Sequence, residues 1–343
     1  MNWPAYGNDA GGLKYSPLTE INRETVARLK PAFNWEAKEQ PIRASEGQKS
    51  ARPGLFQATP LAINDTLLFS TPYNRVIAME AMTGREYWAF DPEPWKGYGQ
   101  PSNGTGLVHR GVATWTDGKE RRVFINSRWR LFALDSKTGK PIPSFGANGE
   151  VDLTAGLSRA IRKEHYTNTS PPLVWGNLVI LGNGVGDRLQ YRGDPPGDIQ
   201  AFDVKTGKRV WRFKTVPEAG EYGNDTWKDG SWEWTGNVGV WTQISVDPTA
   251  GGNGIFEVGL ASSGDTTEIS NQLRSILVWT TGLGLLCVLA VWSAPTAIVE
   301  AISSTLLFFF KLEKAENQNK FQKIFLMGGK NSKEKQQKSQ QQQ

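Results

Sequence analysis

The chain has 343 residues, enough for two average domains or for one large all-β domain. It carries 39 Lys and Arg against 34 Asp and Glu, a net charge of +5, but segment 311–343 alone holds eight Lys and three Glu. The body of the chain is therefore neutral, which argues against a nucleic-acid partner. A single cysteine and two histidines exclude a disulfide framework and a thiolate metal site, and they disfavour a His-based zinc site.

A short pattern recurs three times: an Ala, an Asp or Glu two residues later, then Thr-Gly. The copies begin at residues 78, 133 and 201, and the first and third continue to Trp88 and Trp211. Their turn glycines (Gly84, Gly139, Gly207) are 55 and 68 residues apart. Glycine supplies the positive φ of a tight, bulged hairpin, and repetition at about four-strand spacing is typical of propeller blades. We expect each Trp to lie flat on the bare Gly peptide of a neighbouring blade.

The β-pattern predicts an all-β chain with blades in sequence order. The first begins near Leu55, the second covers about 110–145, and the third covers about 169–213. A fourth starts in the Trp-rich stretch 227–241 and reaches residue 248. The propeller part is therefore expected over residues 1–251, followed by a linker over 252–275.

The character of the chain changes beyond residue 275. Ile276 to Ala294 is a run of nineteen uncharged residues, with Trp279 and Trp292 near its ends, and it predicts a transmembrane helix. A buried core helix is the alternative. Residues 295–343 are expected to form an interfacial segment and a disordered Lys/Gln-rich tail. The lysines place the C-terminus in the cytoplasm and the propeller part in the periplasm, although the N-terminus lacks the layout of a signal peptide.

Several motifs together resemble one family, the quinoprotein dehydrogenases. These are alcohol and glucose dehydrogenases that use pyrroloquinoline quinone (PQQ) on an eight-bladed propeller. The resemblance covers about residues 3–251, the first half of that propeller, or three and a half of its eight blades. It rests on Trp3-Pro4-Ala5-Tyr6-Gly7, Tyr15-Ser16-Pro17-Leu18, the three Thr-Gly units, and Thr226-Trp227 followed by Trp241.

The resemblance implies roles for four residues at the cofactor. Arg110 matches the arginine that contacts the quinone oxygens, where a fixed cation stabilises developing negative charge. Thr169 matches a hydroxyl donor to the cofactor, and Trp241 matches the tryptophan on whose face PQQ lies. Gln57 falls where alcohol-oxidising members place an acid. The alternatives are a structural arginine and a core tryptophan.

The glycine-rich loop over residues 182–187 matches a loop that covers the other face of PQQ in the family. Gly184, Val185 and Gly186 match that loop, and its spacing does not fit a nucleotide-binding loop. Asp187 matches the acidic ligand of Ca²⁺, for which a carboxylate oxygen is suitable. The alternative is that Asp187 only caps a turn.

Three departures from the family pattern limit the assignment. Gly104 and Thr105 stand where alcohol-oxidising members have adjacent cysteines, and Gly259 stands near the position of an asparagine calcium ligand. The aspartate that acts as general base lies beyond the matching region, so the catalytic residue is unknown.

Three hypotheses about the chain follow. The first is a PQQ- and Ca²⁺-dependent dehydrogenase that takes hydride from an alcohol or sugar and passes electrons to a membrane quinone or a cytochrome, with weak or no activity alone. The second is a non-catalytic, membrane-tethered propeller module that binds partners. The third is that residues from 252 onward are an unrelated sequence joined to a truncated quinoprotein. Because half a ring leaves open blade faces, a second propeller half or another copy of the chain is the expected partner.

Overall fold

The computed structural model describes residues 2–9, 11–45, 49–96, 98–101, 106–184, 186, 191–247, 255–261, 273–281 and 284–290, with residue 247 and the last three ranges as backbone only. The described strands form four sheets, each of four antiparallel strands in sequence order. The first sheet holds β1 (Leu61–Ile63), β2 (Thr66–Ser70), β3 (Val76–Glu80) and β4 (Glu86–Phe90). The second holds β5 (Ala113–Thr116), β6 (Arg121–Ser127), β7 (Arg130–Asp135) and β8 (Glu150–Asp152).

The third sheet holds β9 (Leu173–Trp175), β10 (Leu178–Leu181), β11 (Ile199–Asp203) and β12 (Arg209–Phe213). The fourth holds β13 (Ile244–Asp247), β14 (Ile255–Ala261), β15 (Leu273–Thr281) and β16 (Gly284–Ala290). Short 3₁₀ turns lie at Val26–Arg28, Lys163–His165, Asn224–Thr226 and Lys228–Glu233. Repeated four-stranded meanders are the blades of a propeller, so the predicted all-β propeller class is confirmed.

The Thr-Gly motif forms the predicted bulged hairpin. Gly84 and Gly207 have φ of +72° and +70°, and the register shifts at the matching point of β3–β4 and of β11–β12. The third sheet shows the role of the acidic residue in the motif. The Asp203 carboxylate accepts hydrogen bonds from the backbone N–H of Lys205 at 3.1 Å and of Thr206 at 2.7 Å. This local capping of the turn is the reason that Asp and Thr recur beside the glycine.

Neighbouring blades are joined at these turns by an aromatic ring. The Trp88 ring lies so close to Gly139 that a Cβ added there would sit 2.4 Å from the ring, and the indole N–H donates to Ser136 O at 3.0 Å. The predicted stacking of Trp on the next blade's glycine is confirmed here. In the second blade, which lacks the Trp, the backbone of Gly146 covers Gly207 instead and its N–H donates to Thr206 O at 2.9 Å.

The hydrophobic cores lie between the sheets. Along β6, Val123 and Ile125 pack with the first sheet, whereas Phe124 packs with the third. Successive side chains of a strand point to opposite faces, so a strand covered on both faces is apolar at every position. A third core lies between the third sheet and β13, where Ile180 and Val246 meet. The second and third blades are thus each buried against a neighbour on both faces.

The structure corrects the predicted transmembrane helix. Within the 276–294 segment, the described residues belong to β15 and β16, which pair antiparallel with Ile276 opposite Leu289. In the part of the chain that is described, no helix is both long enough and apolar enough to cross a bilayer. Hydropathy alone does not separate an apolar strand pair from a helix, and this run is rich in residues that favour strands. The predicted tail over 295–343 lies outside the described residues, and the periplasmic location, which rested on the helix, stays a prediction.

Candidate functional site

The candidate site is built at equivalent positions of the four repeats. Thr59, Arg110, Thr169 and Trp241 each lie two to four residues before the first strand of their own sheet, namely β1, β5, β9 and β13. The first strands of adjacent blades contact each other, as β5 does β9 and β9 does β13. Residues far apart in sequence are therefore brought side by side.

Arg110 ties three of these segments together. Its backbone oxygen accepts from Thr59 N at 2.9 Å, and its backbone N–H donates to Thr169 O at 3.0 Å. The guanidinium Nη1 donates to the same Thr169 oxygen at 3.1 Å. Burial lowers the pKa of Arg110 from its ordinary value, but a guanidinium stays protonated at neutral pH. The site therefore contains one fixed positive charge.

Trp241 closes the site from the fourth sheet. Its ring centroid lies 5.3 Å from the Arg110 guanidinium carbon, which is a cation–π contact. Its backbone oxygen accepts hydrogen bonds from Thr169 Oγ1 at 3.2 Å and from Ser170 Oγ at 2.8 Å. The structure thus brings together three of the residues singled out in the sequence, Arg110, Thr169 and Trp241.

A buried polar network supports Arg110 from behind. His109 Nδ1 lies 3.2 Å from Ser70 Oγ and 3.3 Å from Gly111 N, and Nε2 lies 3.1 Å from Asn126 Oδ1. Asn126 Nδ2 in turn donates to Ser170 O at 3.0 Å. Because a backbone N–H can only donate, Nδ1 accepts and Nε2 carries the proton. The network links the first three blades around the site.

His109 is neutral in the folded chain. Its side chain is fully buried, and this burial lowers the pKa of His109 to about 4, with the charge of Arg110 acting in the same direction. Desolvation penalises the imidazolium form, which explains the direction. Arg110 thus remains the cation of this cluster at neutral pH.

The glycine-rich loop after β10 approaches the site closely. A Cβ on Gly184 would lie 2.4 Å from Thr167 Oγ1, and its N–H donates to Thr167 O at 2.6 Å. Gly186 exchanges hydrogen bonds with the Asn237 side chain, and its oxygen accepts from Nδ2 at 2.8 Å. Val185 and Asp187 lie outside the described residues.

A small cavity of about 10 Å³ lies between these segments, with room for about one water molecule. Its polar lining residues include Thr169, Ser170 and Asn183, beside Trp241. Gln57 is exposed and does not line this cavity, so the structure does not join it to the other candidates.

The sequence did not point to His109, Ser70, Asn126 or Asn183. His109 is adjacent to Arg110 in sequence, which is the one signal available. Hydrogen bonds among side chains from separate blades become visible only in the folded arrangement.

The donors present suit a flat, anionic, oxygen-rich ring. A guanidinium and a hydroxyl can bind carboxylate or quinone oxygens, and an indole face can support a planar ring. The residues therefore fit PQQ in chemistry. The cavity beside Trp241, with room for about one water molecule, is too small to hold the ring system of PQQ. Among the described residues, no group of three or more His, Cys, Asp or Glu could hold a metal ion.

Residues 3–252 match the family model "PQQ: Glucose/ethanol/alcohol dehydrogenase, beta-propeller domain". The fold and the site thus define a β-propeller protein with an Arg–Trp pair at its candidate site. The chain belongs to this PQQ dehydrogenase family.

Individual relatives agree with the family match. The chain is 33% identical over 263 residues to the "Alcohol dehydrogenase (quinone), dehydrogenase subunit" of Gluconobacter oxydans, covering 72% of this chain and 31% of the relative. It is 32% identical over 233 residues to "Quinoprotein glucose dehydrogenase A" of Acinetobacter calcoaceticus, covering 62% and 28%. The chain therefore spans about a third of the length of these relatives.

A solved structure supports the fold. The quinohemoprotein alcohol dehydrogenase ADHIIG of Pseudomonas putida HK5 superposes with a TM-score of 0.53 at 24% identity, over 80% of this chain and 38% of that one. At this identity, the likeness supports the propeller fold alone.

Proposed function

We propose that this chain is the PQQ-binding part of a dehydrogenase that oxidises an alcohol or sugar hydroxyl. The convergence of Arg110, Thr169 and Trp241 from three blades, within a chain of this family, carries the proposal. The names of the relatives support a hydroxyl substrate and a quinone or haem electron acceptor.

The side chains of the site have distinct tasks. Arg110 holds a positive charge in a desolvated position, where it stabilises negative charge on a bound oxygen more strongly than it would in water. Trp241 provides a flat apolar surface. The Thr169 carbonyl accepts one hydrogen bond from the Arg110 guanidinium, which it orients, and a second from the Arg110 backbone N–H. When bound, PQQ supplies the two-electron acceptor that protein side chains lack.

Calcium binding is part of the proposal through Asp187. Its carboxylate would offer hard oxygen ligands of the kind that Ca²⁺ prefers. The resemblance to the family supports this role. Omitting Ca²⁺ from the binding experiment below tests it directly.

Replacing Arg110 tests the site. We expect Arg110→Ala to weaken PQQ binding by at least tenfold, since a hydrogen bond to a charged group contributes roughly 1.5–3 kcal/mol. Thermal melts of the full chain with and without PQQ plus Ca²⁺ measure this, because a ligand that binds only the folded state raises Tm. Arg121→Ala is the control: it removes another partly buried arginine of the second sheet, outside the site. Equal PQQ-induced shifts in both variants would overturn the proposal.

We expect the chain alone to show little or no dehydrogenase turnover. The match to the family ends at residue 252, and the resemblance places the proton-accepting aspartate beyond it. The measurement is dye reduction by the purified monomer with PQQ, Ca²⁺ and a panel of alcohols and sugars. Appreciable turnover that depends on PQQ and Ca²⁺ would contradict this expectation.

A further inference from the structure

One buried amide connects the two segments that carry Arg110 and Thr169. Asn126 is the last residue but one of β6 and is 2% exposed. Its Oδ1 lies 3.1 Å from His109 Nε2, and its Nδ2 donates to Ser170 O at 3.0 Å. Because His109 Nε2 carries the proton, Oδ1 must face the imidazole and Nδ2 must face the carbonyl. The amide therefore uses both of its ends, and each end reaches a residue next to the site.

The contacts of Asn126 lie beside those of Arg110 itself. The Arg110 backbone N–H donates to Thr169 O at 3.0 Å, and the guanidinium Nη1 donates to the same oxygen at 3.1 Å. The link through Asn126 joins the adjacent residue of each segment, His109 and Ser170. A single attachment would let the two segments pivot, whereas two adjacent attachments fix their relative orientation as well as their spacing. The direction of the guanidinium therefore depends on both links.

The same line of hydrogen bonds continues to Trp241. Ser170 Oγ donates to Trp241 O at 2.8 Å, and the Trp241 ring centroid lies 5.3 Å from the guanidinium carbon of Arg110. Asn126 is thus connected to one member of this cation–π pair through His109 and to the other through Ser170. Its own strand, β6, is packed between the first and third sheets, so it is a rigid base for these links.

We propose that Asn126 is a positioning residue that holds the Arg110 guanidinium and the Trp241 ring at a fixed distance across the second, third and fourth blades. This inference rests on the proposed function, because it names the side chain that preorganises the two groups assigned to PQQ. A site whose groups are already in place loses no binding free energy in ordering them. Asn126 acts through Arg110 and Trp241 and makes no contact with the ligand itself.

The first test needs no cofactor. Urea unfolding of the full chain, of Arg110→Ala, of Trp241→Leu and of the double variant forms a double-mutant cycle for this pair. We expect the pair to change the unfolding equilibrium constant about fivefold, the size of a partly desolvated cation–π contact. The same cycle on an Asn126→Leu background should show no coupling, because the guanidinium and the ring are no longer held together. A purely structural residue would destabilise all four proteins equally and leave the coupling unchanged.

Two further variants complete the experiment. Gln200→Leu is the matched control: Gln200 is 1% exposed, and its Nε2 donates at 2.9 Å to the oxygen of Leu153, which follows β8. It too is a buried amide that joins the second and third blades, but its partners lie outside the site segments. Its loss should lower stability and leave the coupling intact. Asn126→Ala removes the same two hydrogen bonds as Asn126→Leu without a branched side chain, and it keeps the test valid if Asn126→Leu does not fold.

Binding of PQQ separates this inference from the proposed function. We expect the Kd for PQQ, measured by quenching of tryptophan fluorescence, to increase about tenfold in Asn126→Ala, as the loss of one hydrogen bond to a charged group implies, and to stay unchanged in Gln200→Leu. If wild type does not bind PQQ, the proposed function fails, whereas the coupling still decides whether Asn126 positions the pair.

Three results would overturn the inference. The first is an Arg110–Trp241 coupling that is absent from wild type or persists without the Asn126 amide. The second is an equal loss of coupling in Gln200→Leu. The third is PQQ binding by wild type together with an unchanged Kd in Asn126→Ala.

Discussion

Gly139→Ala is expected to lose about 2–5 kcal/mol of unfolding free energy. Gly139 has φ of +69°, and an alanine there costs about 1–2 kcal/mol from backbone strain alone. The added Cβ would also lie 2.4 Å from the Trp88 ring, and overpacking of this kind costs about 1–3 kcal/mol. Displacing the ring further strains the hydrogen bond from the indole to Ser136 O. Urea unfolding of the full chain, followed by tryptophan fluorescence, measures the loss.

The matched control for this prediction is Gly118→Ala. Gly118 has φ of +86°, but an added Cβ would meet nothing within 4 Å. Gly118→Ala therefore introduces the backbone strain without the clash, and we expect it to lose only about 1–2 kcal/mol of unfolding free energy. Combining Gly139→Ala with Trp88→Ala should cost less than the sum of the two single changes, since the clash requires both side chains. Equal losses at Gly118 and Gly139 would show that Trp88 does not join the blades as described.

The blades could be predicted from the sequence because their turns are determined locally. The requirement for positive φ at Gly84, Gly139 and Gly207 and the capping by Asp203 act within a few residues of one another. The threefold repetition of the Thr-Gly motif then indicated a propeller. The stacking of Trp88 on Gly139 of the next blade was predicted from the fixed spacing of Trp and Gly in the motif.

The apolar C-terminal run shows where local reasoning failed. Nineteen uncharged residues satisfy the length of a membrane helix, but β15 and β16 occupy the described part of this run. Whether such a run is helix or strand depends on what it pairs with. β15 pairs with β16 inside the run and with β14 outside it, and the pairing with β14 is not encoded within the run itself.

The site was predictable only in part, for a related reason. Arg110, Thr169 and Trp241 were found through their resemblance to a family, and the fold brings them together before equivalent strands. His109 gave no comparable signal. Its importance comes from burial among side chains of other blades, which one sequence does not show.

The stability of the chain between pH 4 and 6.5 is expected to depend on two opposing groups. Burial lowers the pKa of His109 from 6.5 to about 4, so the unfolded chain binds this proton more readily. As pH falls through this window, His109 removes roughly 3 kcal/mol of stability. Burial raises the pKa of Asp198 from 3.8 to about 6, although Arg212 Nε lies 3.3 Å away. The folded chain holds that proton, so Asp198 adds about 3 kcal/mol as pH falls from 6 to 4.

Single substitutions separate the two contributions. His109→Gln removes the titrating imidazole, and we expect its unfolding free energy to rise as pH falls from 6.5 to 4, because Asp198 then acts alone. Asp198→Asn should do the opposite and lose stability steadily over the same window, while wild type changes little. The free energy of unfolding is measured with urea at half-unit pH steps, and the slopes of free energy against pH are compared between the variants. Because any fixed cost of replacing a buried side chain shifts a whole curve without changing its slope, parallel curves for wild type and His109→Gln would show that His109 is not held neutral by the fold.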